Sequence, residues 1–210
     1  MFTGIITHQG VLTQRHVKDH HEQSLSIECT WDSALSLGES IAVNGVCLTV
    51  RHIAEKGFEA DISNETCKRT TLGELVMGQR LHLERAATPQ SRLGGHFVTG
   101  HIDGVGSLLH KKQQGEAWQF RYLIPAELMP AIAPKGSIAI DGVSLTPNYI
   151  DIEHTHLDVT LLPHTLSHTQ LGTHTAGTRV NLETDILAKY VLQCMHYSKP
   201  SIAKSGSQAI

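Results

Sequence analysis

The chain has no apolar run approaching the ~20 residues that a bilayer-crossing helix needs. It also has no basic block longer than Lys111-Lys112, and its 17 basic side chains are outnumbered by 20 acidic ones. Neither a membrane nor a nucleic acid is therefore an expected partner. Aromatic residues are scarce, at 5%, yet 40% hydrophobic and 18% charged residues are ordinary for a globular chain and exclude wholesale disorder. The four cysteines, Cys29, Cys47, Cys67 and Cys194, lack any C-x-x-C spacing, so they are read as free thiols. Met1 to Ile6 lacks the basic stretch and small-residue cleavage site of an export signal, which makes a cytoplasmic location the expectation. Fifteen histidines are present but scattered. His154 and His156 would share one face of a strand, but no third ligand at regular spacing accompanies them, so solvated surface positions are expected and no metal site.

What the chain does have is a second copy of itself. Ser40 to Thr49 (SIAVNGVCLT) recurs as Ser137 to Thr146 (SIAIDGVSLT), with seven of ten positions identical at an offset of 97. Phe2-Thr3-Gly4-Ile5-Ile6 aligns with Val98-Thr99-Gly100-His101-Ile102, Glu65 to Gly73 with His164 to Gly172, and Leu81 to Ala86 with Val180 to Asp185. The 210 residues thus divide into two complete repeats, 1–96 and 97–185.

Each repeat reads as all-β. Short alternating runs such as Leu25 to Cys29, Phe58 to Ile62 and Leu157 to Leu161 are punctuated by Gly, Asn and Asp turns. Many short strands in so few residues point to a closed barrel, because closure removes exposed strand edges. Gly45 and Gly142 mark positions of positive φ or close backbone approach. Helical signals over Trp31 to Leu37 and Pro125 to Ile132 occupy matching places and are expected to cap the barrels. Beyond the repeats, Ile186, Leu187, Tyr190, Val191 and Cys194 fall at helical spacing after an N-cap at Asp185. This amphipathic helix, 186–198, is too short to stand alone, so its stripe packs on a barrel or on another chain; the second is the favoured reading. The tail, 199–210, is polar and expected to be disordered.

The copies differ where chemistry is possible. His101 replaces Ile5, Ser144 replaces Cys47, Asp141 replaces Asn44, His164 replaces Glu65 and Asp185 replaces Ala86. His101, Ser144 and Asp185 suggest a hydrolytic triad, but there is no G-x-S-x-G elbow and no helix follows Ser144. The plain alternatives are a buried thiol at Cys47, a turn serine, a surface histidine and a helix cap. Their shared placement at equivalent points of a repeat favours function.

These residues carry a resemblance. Phe2-Thr3-Gly4-Ile5, Asn44 to Val50, Glu65-Thr66, Arg69 to Gly73, Leu83 to Ala86, Gly94-Gly95-His96 and Gly100-His101-Ile102 resemble the α-type riboflavin synthase family. So do Lys135-Gly136, Asp141 to Thr146, Pro163 to Leu166 and Val180 to Glu183. The match runs to about Val191, and many short motifs in order make it specific. It implies two tandem six-stranded Greek-key barrels with a C-terminal oligomerisation helix. It also implies a homotrimer whose active sites lie between subunits, and neither metal nor organic cofactor. The implied reaction is a dismutation of two 6,7-dimethyl-8-ribityllumazine molecules. A four-carbon unit passes from one to the other, giving riboflavin and 5-amino-6-(D-ribitylamino)uracil in the last step of riboflavin biosynthesis. Docking inside a lumazine synthase shell is a further association the resemblance raises.

By the same resemblance, one pocket is lined by Gly4, Ile5 and Ile6, by Cys47, Leu48 and Thr49, and by Asp61, Ile62, Ser63, Asn64, Glu65 and Thr66. The other is lined by Gly100, His101 and Ile102, by Lys135, by Ser144, Leu145 and Thr146, and by Thr160, Leu161, Leu162, Pro163, His164 and Thr165. Hydroxyls such as Thr49 and Thr146 suit a polar heterocycle, and Asp61 suits a ribityl chain. The lumazine 7-methyl group is acidic, so a base such as His101 generates a carbon nucleophile. Cys47, a water or a ribityl hydroxyl activates the partner molecule, while Ser144 and Asp185 orient it or relay protons. Proximity is expected to supply much of the acceleration, about 7–11 kcal/mol. The alternatives are a non-catalytic lumazine- or flavin-binding antenna protein of the same fold, and a scaffold with vestigial pockets. Pro147 departs from the first copy's Val50 and predicts an edge, bulge or end in that strand.

Overall fold

A computed structural model describes residues 1–197. Ser198 and the tail 199–210 lie outside the described residues. The first repeat forms β1 (His8–Val17), β2 (Gln23–Glu28), β3 (Ser40–Val43), β4 (Val46–Ala54), β5 (Gly57–Ile62) and β6 (Arg80–Arg85), with a one-turn helix α1 (Asn64–Arg69) before β6. The strands close in the order β1-β2-β5-β4-β3-β6, and β6 pairs back onto β1. Period-two alternation puts Leu25 and Ile27 opposite Ala60 and Phe58, all turned into one core with Leu12, Ile41, Leu81 and Leu83.

The second repeat forms β7 (Gly104–Gln114), β8 (Ala117–Leu123), β9 (Ile138–Ile140), β10 (Val143–Leu145), β11 (Pro147–Asp151), β12 (His156–Leu161) and β13 (Arg179–Thr184), with α2 (Pro163–His168) before β13. Its core mirrors the first: Leu108, Phe120, Tyr122, Ile138, Ile140, Leu157 and Leu182. Even the bulge is repeated, between Leu12 and Gln14 in β1 and between Leu108 and His110 in β7.

One strand differs. β4 runs unbroken and pairs with both β3 and β5, which closes the first barrel. Its counterpart is cut into β10 and β11, the two edges of a seven-stranded sheet ordered β10-β9-β13-β7-β8-β12-β11. The cut falls at Thr146, before Pro147, which has no N–H to donate to a ladder. The second barrel is therefore curled and joined along this seam by the chain itself, as the proline predicts.

Two other expectations change. Pro125 to Ile132 holds a short 3-10 stretch, Ala126–Ala131, but Trp31 to Leu37 is a series of bends and turns without helix. Asp32, Ser33, Ser36 and Gly38 favour turns there, and Trp31 lies against the first core with Arg85 over its ring. His156 is buried, not solvated, at 8% exposure, with Asp151 near both it and His154. Cys29, Cys47 and Cys67 are free thiols. The last element is α3 (Ile186–Tyr197), capped by Asp185 Oδ1, which accepts from Leu187 N at 2.9 Å. None of its residues is buried. No described helix is long and apolar enough to cross a membrane.

The barrels pack about a local twofold axis. Phe2 and Val98 pair antiparallel, and both sit in a small cluster with Ala42 and Ala139. Gly45 and Gly142 meet back to back at φ 80°, where a Cβ on Gly45 would lie 2.6 Å from Gly142 N. Neither position admits a side chain.

Candidate active site

The twofold exchanges short segments between the halves. Gly4 O accepts from Ser144 N at 2.8 Å, and Gly100 O accepts from Cys47 N at 2.9 Å. Ile6 packs on the second core and Ile102 on the first. The expected pocket groupings are thereby corrected. Gly100, His101 and Ile102 belong with Cys47 and Glu65 to Thr66, while Gly4, Ile5 and Ile6 belong with Ser144. Sequence order assigns each segment to its own repeat, and a carboxylate of that repeat holds it, but its glycine carbonyl and following isoleucine reach across to the other. Gly4 (φ 76°) and Gly100 (φ 82°) allow the approach, since a Cβ would lie 2.6 Å from Ser144 Cβ and 2.5 Å from Cys47 Cβ respectively.

Each exchanged segment is held by a buried carboxylate. Glu84 Oε1 accepts from Thr3 N and Oγ1, both at 2.7 Å, and Oε2 from Gly4 N at 3.0 Å. Glu183 repeats this with Thr99 N and Oγ1 at 2.7 and 2.6 Å and Gly100 N at 2.9 Å. Burial pushes the Glu84 carboxyl upward, and the Thr3 and Gly4 donors oppose that shift. Both glutamates lie in repeated motifs, Leu83 to Ala86 and Val180 to Glu183, and this clamp is what those motifs build.

Cys47 lines a cavity of about 350 Å³ with Glu65, Thr66, Arg69, Thr70, Gly100, His101 and Ile102. The thiol is half-buried, His101 is exposed beside it, and Arg69 Nε donates to Glu65 at 2.8 Å. Ser63 caps α1 by accepting from Thr66 N at 3.1 Å, which fixes the wall that carries Glu65. Asp61 is already paired, with Lys18 at 2.7 Å and Arg51 at 3.2 Å. Thr49 is exposed one strand step beyond Cys47, whereas Leu48 and Ile62 point into the core and can offer only backbone.

At the other position, Ser144 Oγ lies 2.7 Å from Nδ1 of His96. His96 is buried at 7% exposure, and its Nε2 has no hydrogen-bond partner. Burial lowers its pKa, and the charge of Asp185 works against that. His96, not His101, therefore joins Ser144 and Asp185; His101 is drawn away to Cys47 by the segment exchange. The sequence signal was the Gly94-Gly95 pair before a lone histidine. A Cβ on Gly95 would collide with Thr3 O and lie 2.8 Å from Ser144 Oγ. Lys135 has φ 64°, donates to Asn148 Oδ1 at 3.0 Å, and Asn148 Nδ2 donates to Thr160 Oγ1 at 2.8 Å. Thr146 is exposed; Leu145 and Leu161 are core residues. Leu162, Pro163, His164 and Thr165 form the start of α2, where His164 stacks on His168 at 4.1 Å between ring centroids.

Each half thus presents one nucleophilic atom, one imidazole and a glycine carbonyl from the opposite half. Cys47 stands with His101, and Ser144 with His96. Among the described residues no cluster of three His, Cys, Asp or Glu could hold a metal ion.

The class of protein is set by the family described as lumazine binding domain, whose model matches twice, at residues 3–86 and 99–185. The chain is 43% identical to the riboflavin synthase of Actinobacillus pleuropneumoniae, covering 92% of this chain and 89% of that protein. It is 44% identical to the riboflavin synthase of Mycobacterium bovis, covering 93% and 98%. A crystal structure of LumP complexed with riboflavin superposes with a TM-score of 0.80 at 28% identity, covering 88% of this chain and 99% of that one. A second, with 6,7-dimethyl-8-(1'-D-ribityl) lumazine, gives 0.78 at 27%, with the same coverages. The chain belongs to the riboflavin synthase family, in its duplicated lumazine-binding form.

Proposed function

We infer that this chain converts two molecules of 6,7-dimethyl-8-ribityllumazine into riboflavin and 5-amino-6-(D-ribitylamino)uracil. The observation that carries this is the pair of unlike sites, Cys47 with His101 and Ser144 with His96, on equivalent backbone. A reaction between identical molecules needs one to act as carbanion and the other as electrophile, and unlike pockets separate those roles. The four-carbon unit leaves one ring system as it joins the other, so no external oxidant or reductant enters.

In this reading the exposed imidazole of His101 takes the proton from the 7-methyl group of a lumazine bound beside it. The Cys47 thiol, from the same cavity, adds to or assists addition at the electrophilic carbon. Ser144 supplies a hydroxyl at the second site, and His96 acts as its positioning residue and proton acceptor. Asp185, across from His96, favours the imidazolium that results. The backbone of Gly4 to Ile6 and Gly100 to Ile102 reads the heterocycle edges, with Thr49, Thr66, Thr146 and Thr165 as further hydroxyls. Lys135 and Thr160 on one side, Asp61 and Ser63 to Glu65 on the other, meet the ribityl chains.

Both reactants must lie face to face, and α3 supports an assembly that brings a second copy's site into range. Leu187, Tyr190, Val191 and Met195 are all exposed, at 58–66%. A 12-residue helix with no buried residue gains little from its own chain. A homotrimer with sites between subunits fits, and a lumazine synthase shell remains a partner of the proposed pathway step.

The test is to incubate purified protein with the lumazine and follow riboflavin fluorescence against lumazine consumed. One riboflavin per two lumazines supports the enzyme. Tight binding without product supports an antenna role, and no binding supports a scaffold.

A further inference from the structure

The local twofold also generates a cavity of about 500 Å³ at the seam between the barrels, separate from both Cys47 and Ser144. Its walls include the paired positions Arg80 and Arg179, and Asp141, His82, Thr173 and His174. The twofold predicts equal surroundings for the two arginines, since each opens the last strand of its barrel, 99 positions apart. Their surroundings differ. Arg179 is ion-paired with Glu74 from the first repeat. The position equivalent to Glu74 is Thr173, so the carboxylate that pairs with Arg179 has no counterpart at Arg80, and among the described residues Arg80 makes no ion pair, although Asp141 lines the same cavity. The next position has changed too: Leu75, buried in the first core, becomes His174. On this side of the axis a carboxylate has been lost and an imidazole gained.

His174 is arranged to be a donor. Its buried Nδ1 has no hydrogen-bond partner, and its Nε2 lies 4.0 Å from Asp141 Oδ2. Asp141 itself is turned to the backbone, accepting from Asn181 N at 2.8 Å. Burial, with His82 and Lys111 nearby, holds His174 down at about 4 from an ordinary 6.5, so the ring is neutral, and with its proton on Nδ1 it donates one hydrogen bond to an anion in the cavity. Gln79, also on the wall, spends its Oε1 on Val76 N and keeps its amide N–H groups as donors.

We propose that this seam cavity binds a small oxyanion, a phosphate or carboxylate group, which takes against Arg80 and His174 the place that Glu74 takes against Arg179. The site is distinct from the lumazine pockets and does not depend on the reaction proposed above.

The probe is inorganic phosphate, with acetate as the carboxylate arm and chloride at matched ionic strength as the control, read by calorimetry and thermal unfolding. Phosphate or acetate is expected to bind and raise the melting temperature while chloride does not; whichever acts identifies the anion class. Arg80→Gln removes the charged donor and is expected to weaken binding by about tenfold or more. Thr173→Glu restores the carboxylate that the twofold lacks and is expected to abolish the response, because the new side chain occupies Arg80. If neither anion acts on the wild-type protein beyond chloride, or if Arg80→Gln responds as the wild type does, the proposal is wrong. Should Thr173→Glu fail to fold, Arg80→Gln decides alone.

Discussion

The two barrels keep the same backbone devices and change the groups those devices hold. Thr3 and Thr99 are clamped by Glu84 and Glu183 in the same three-bond pattern. Asn44 Oδ1 and Asp141 Oδ1 each accept from the backbone N of the last strand of their barrel, His82 and Asn181, at 2.8 Å. His82 and Asn181 in turn reach across the axis in matching fashion. His82 Nδ1 contacts Asp141 O at 2.8 Å and Nε2 accepts from Gln170 N; Asn181 Nδ2 donates to Asn44 O at 2.9 Å and Oδ1 accepts from Thr71 N. A neutral imidazole with its proton on Nδ1 does the work of a primary amide. Duplication preserved which atoms donate and accept, and left free whether the group titrates.

Changing the reactive group of either site should have the largest effect. Cys47→Ser gives the first pocket its sister's hydroxyl, and His96→Ala leaves Ser144 without its imidazole. Each is expected to lower kcat by about a hundredfold, the range of a lost acid–base group, with residual turnover from proximity. Steady-state riboflavin formation measures both. Unchanged turnover in Cys47→Ser would remove the thiol from the chemistry. For His96→Ala, a pH–rate profile that keeps the wild-type shape would reduce His96 to packing.

Asp141→Asn makes the seam symmetric and should raise stability. Burial pushes the Asp141 carboxyl up to about 7 from an ordinary value of 3.8. The folded state then holds a proton that the unfolded chain has released, so stability is complete below pH 4 and falls as pH rises toward 7. The asparagine variant lacks this slope and should exceed the wild type by about 2–4 kcal/mol at pH 8 in urea unfolding. Equal stability at pH 8 would show that the carboxyl ionises freely in place.

His82→Asn copies Asn181 and tests the opposite slope. Burial depresses His82 to about 4 from 6.5. Its contribution is present above pH 6.5 and lost as pH falls through 4, because the unfolded ring gains a proton first. Asparagine should match the wild type at pH 7 and exceed it by about 2–3 kcal/mol near pH 4. Loss of stability at pH 7 would mean that the amide cannot replace the ring.

The repeat, the all-β class and the broken strand at Pro147 were legible because each is written locally, in duplicated blocks or in one residue's missing donor. The exchange of Gly4 and Gly100 between halves was not, since no periodicity reports contacts made across a twofold. That is why sequence order alone places His101 with Ser144. His96 escaped for a related reason: it lies between the repeats and has no counterpart to compare. Trp31 to Leu37 reads as helix because Trp31 and Leu35 fall at i, i+4 spacing among turn residues, yet both rest on the core without a helix.

The smallest expected effect concerns backbone strain. Lys135 adopts φ 64° at the position where the first copy has Gly38 at φ 81°. A side chain in the left-handed region costs about 1–2 kcal/mol, while glycine adds up to about 1 kcal/mol of unfolded-state entropy. Lys135→Gly should therefore stabilise the chain by about 0.5–1 kcal/mol, because the exposed Lys135–Asn148 contact contributes little. A lysine retained against its own backbone preference is explained if its ammonium meets a ribityl chain. The same variant should then bind lumazine more weakly while melting higher. A variant that melts higher and binds as before would leave Lys135 with no part in the site.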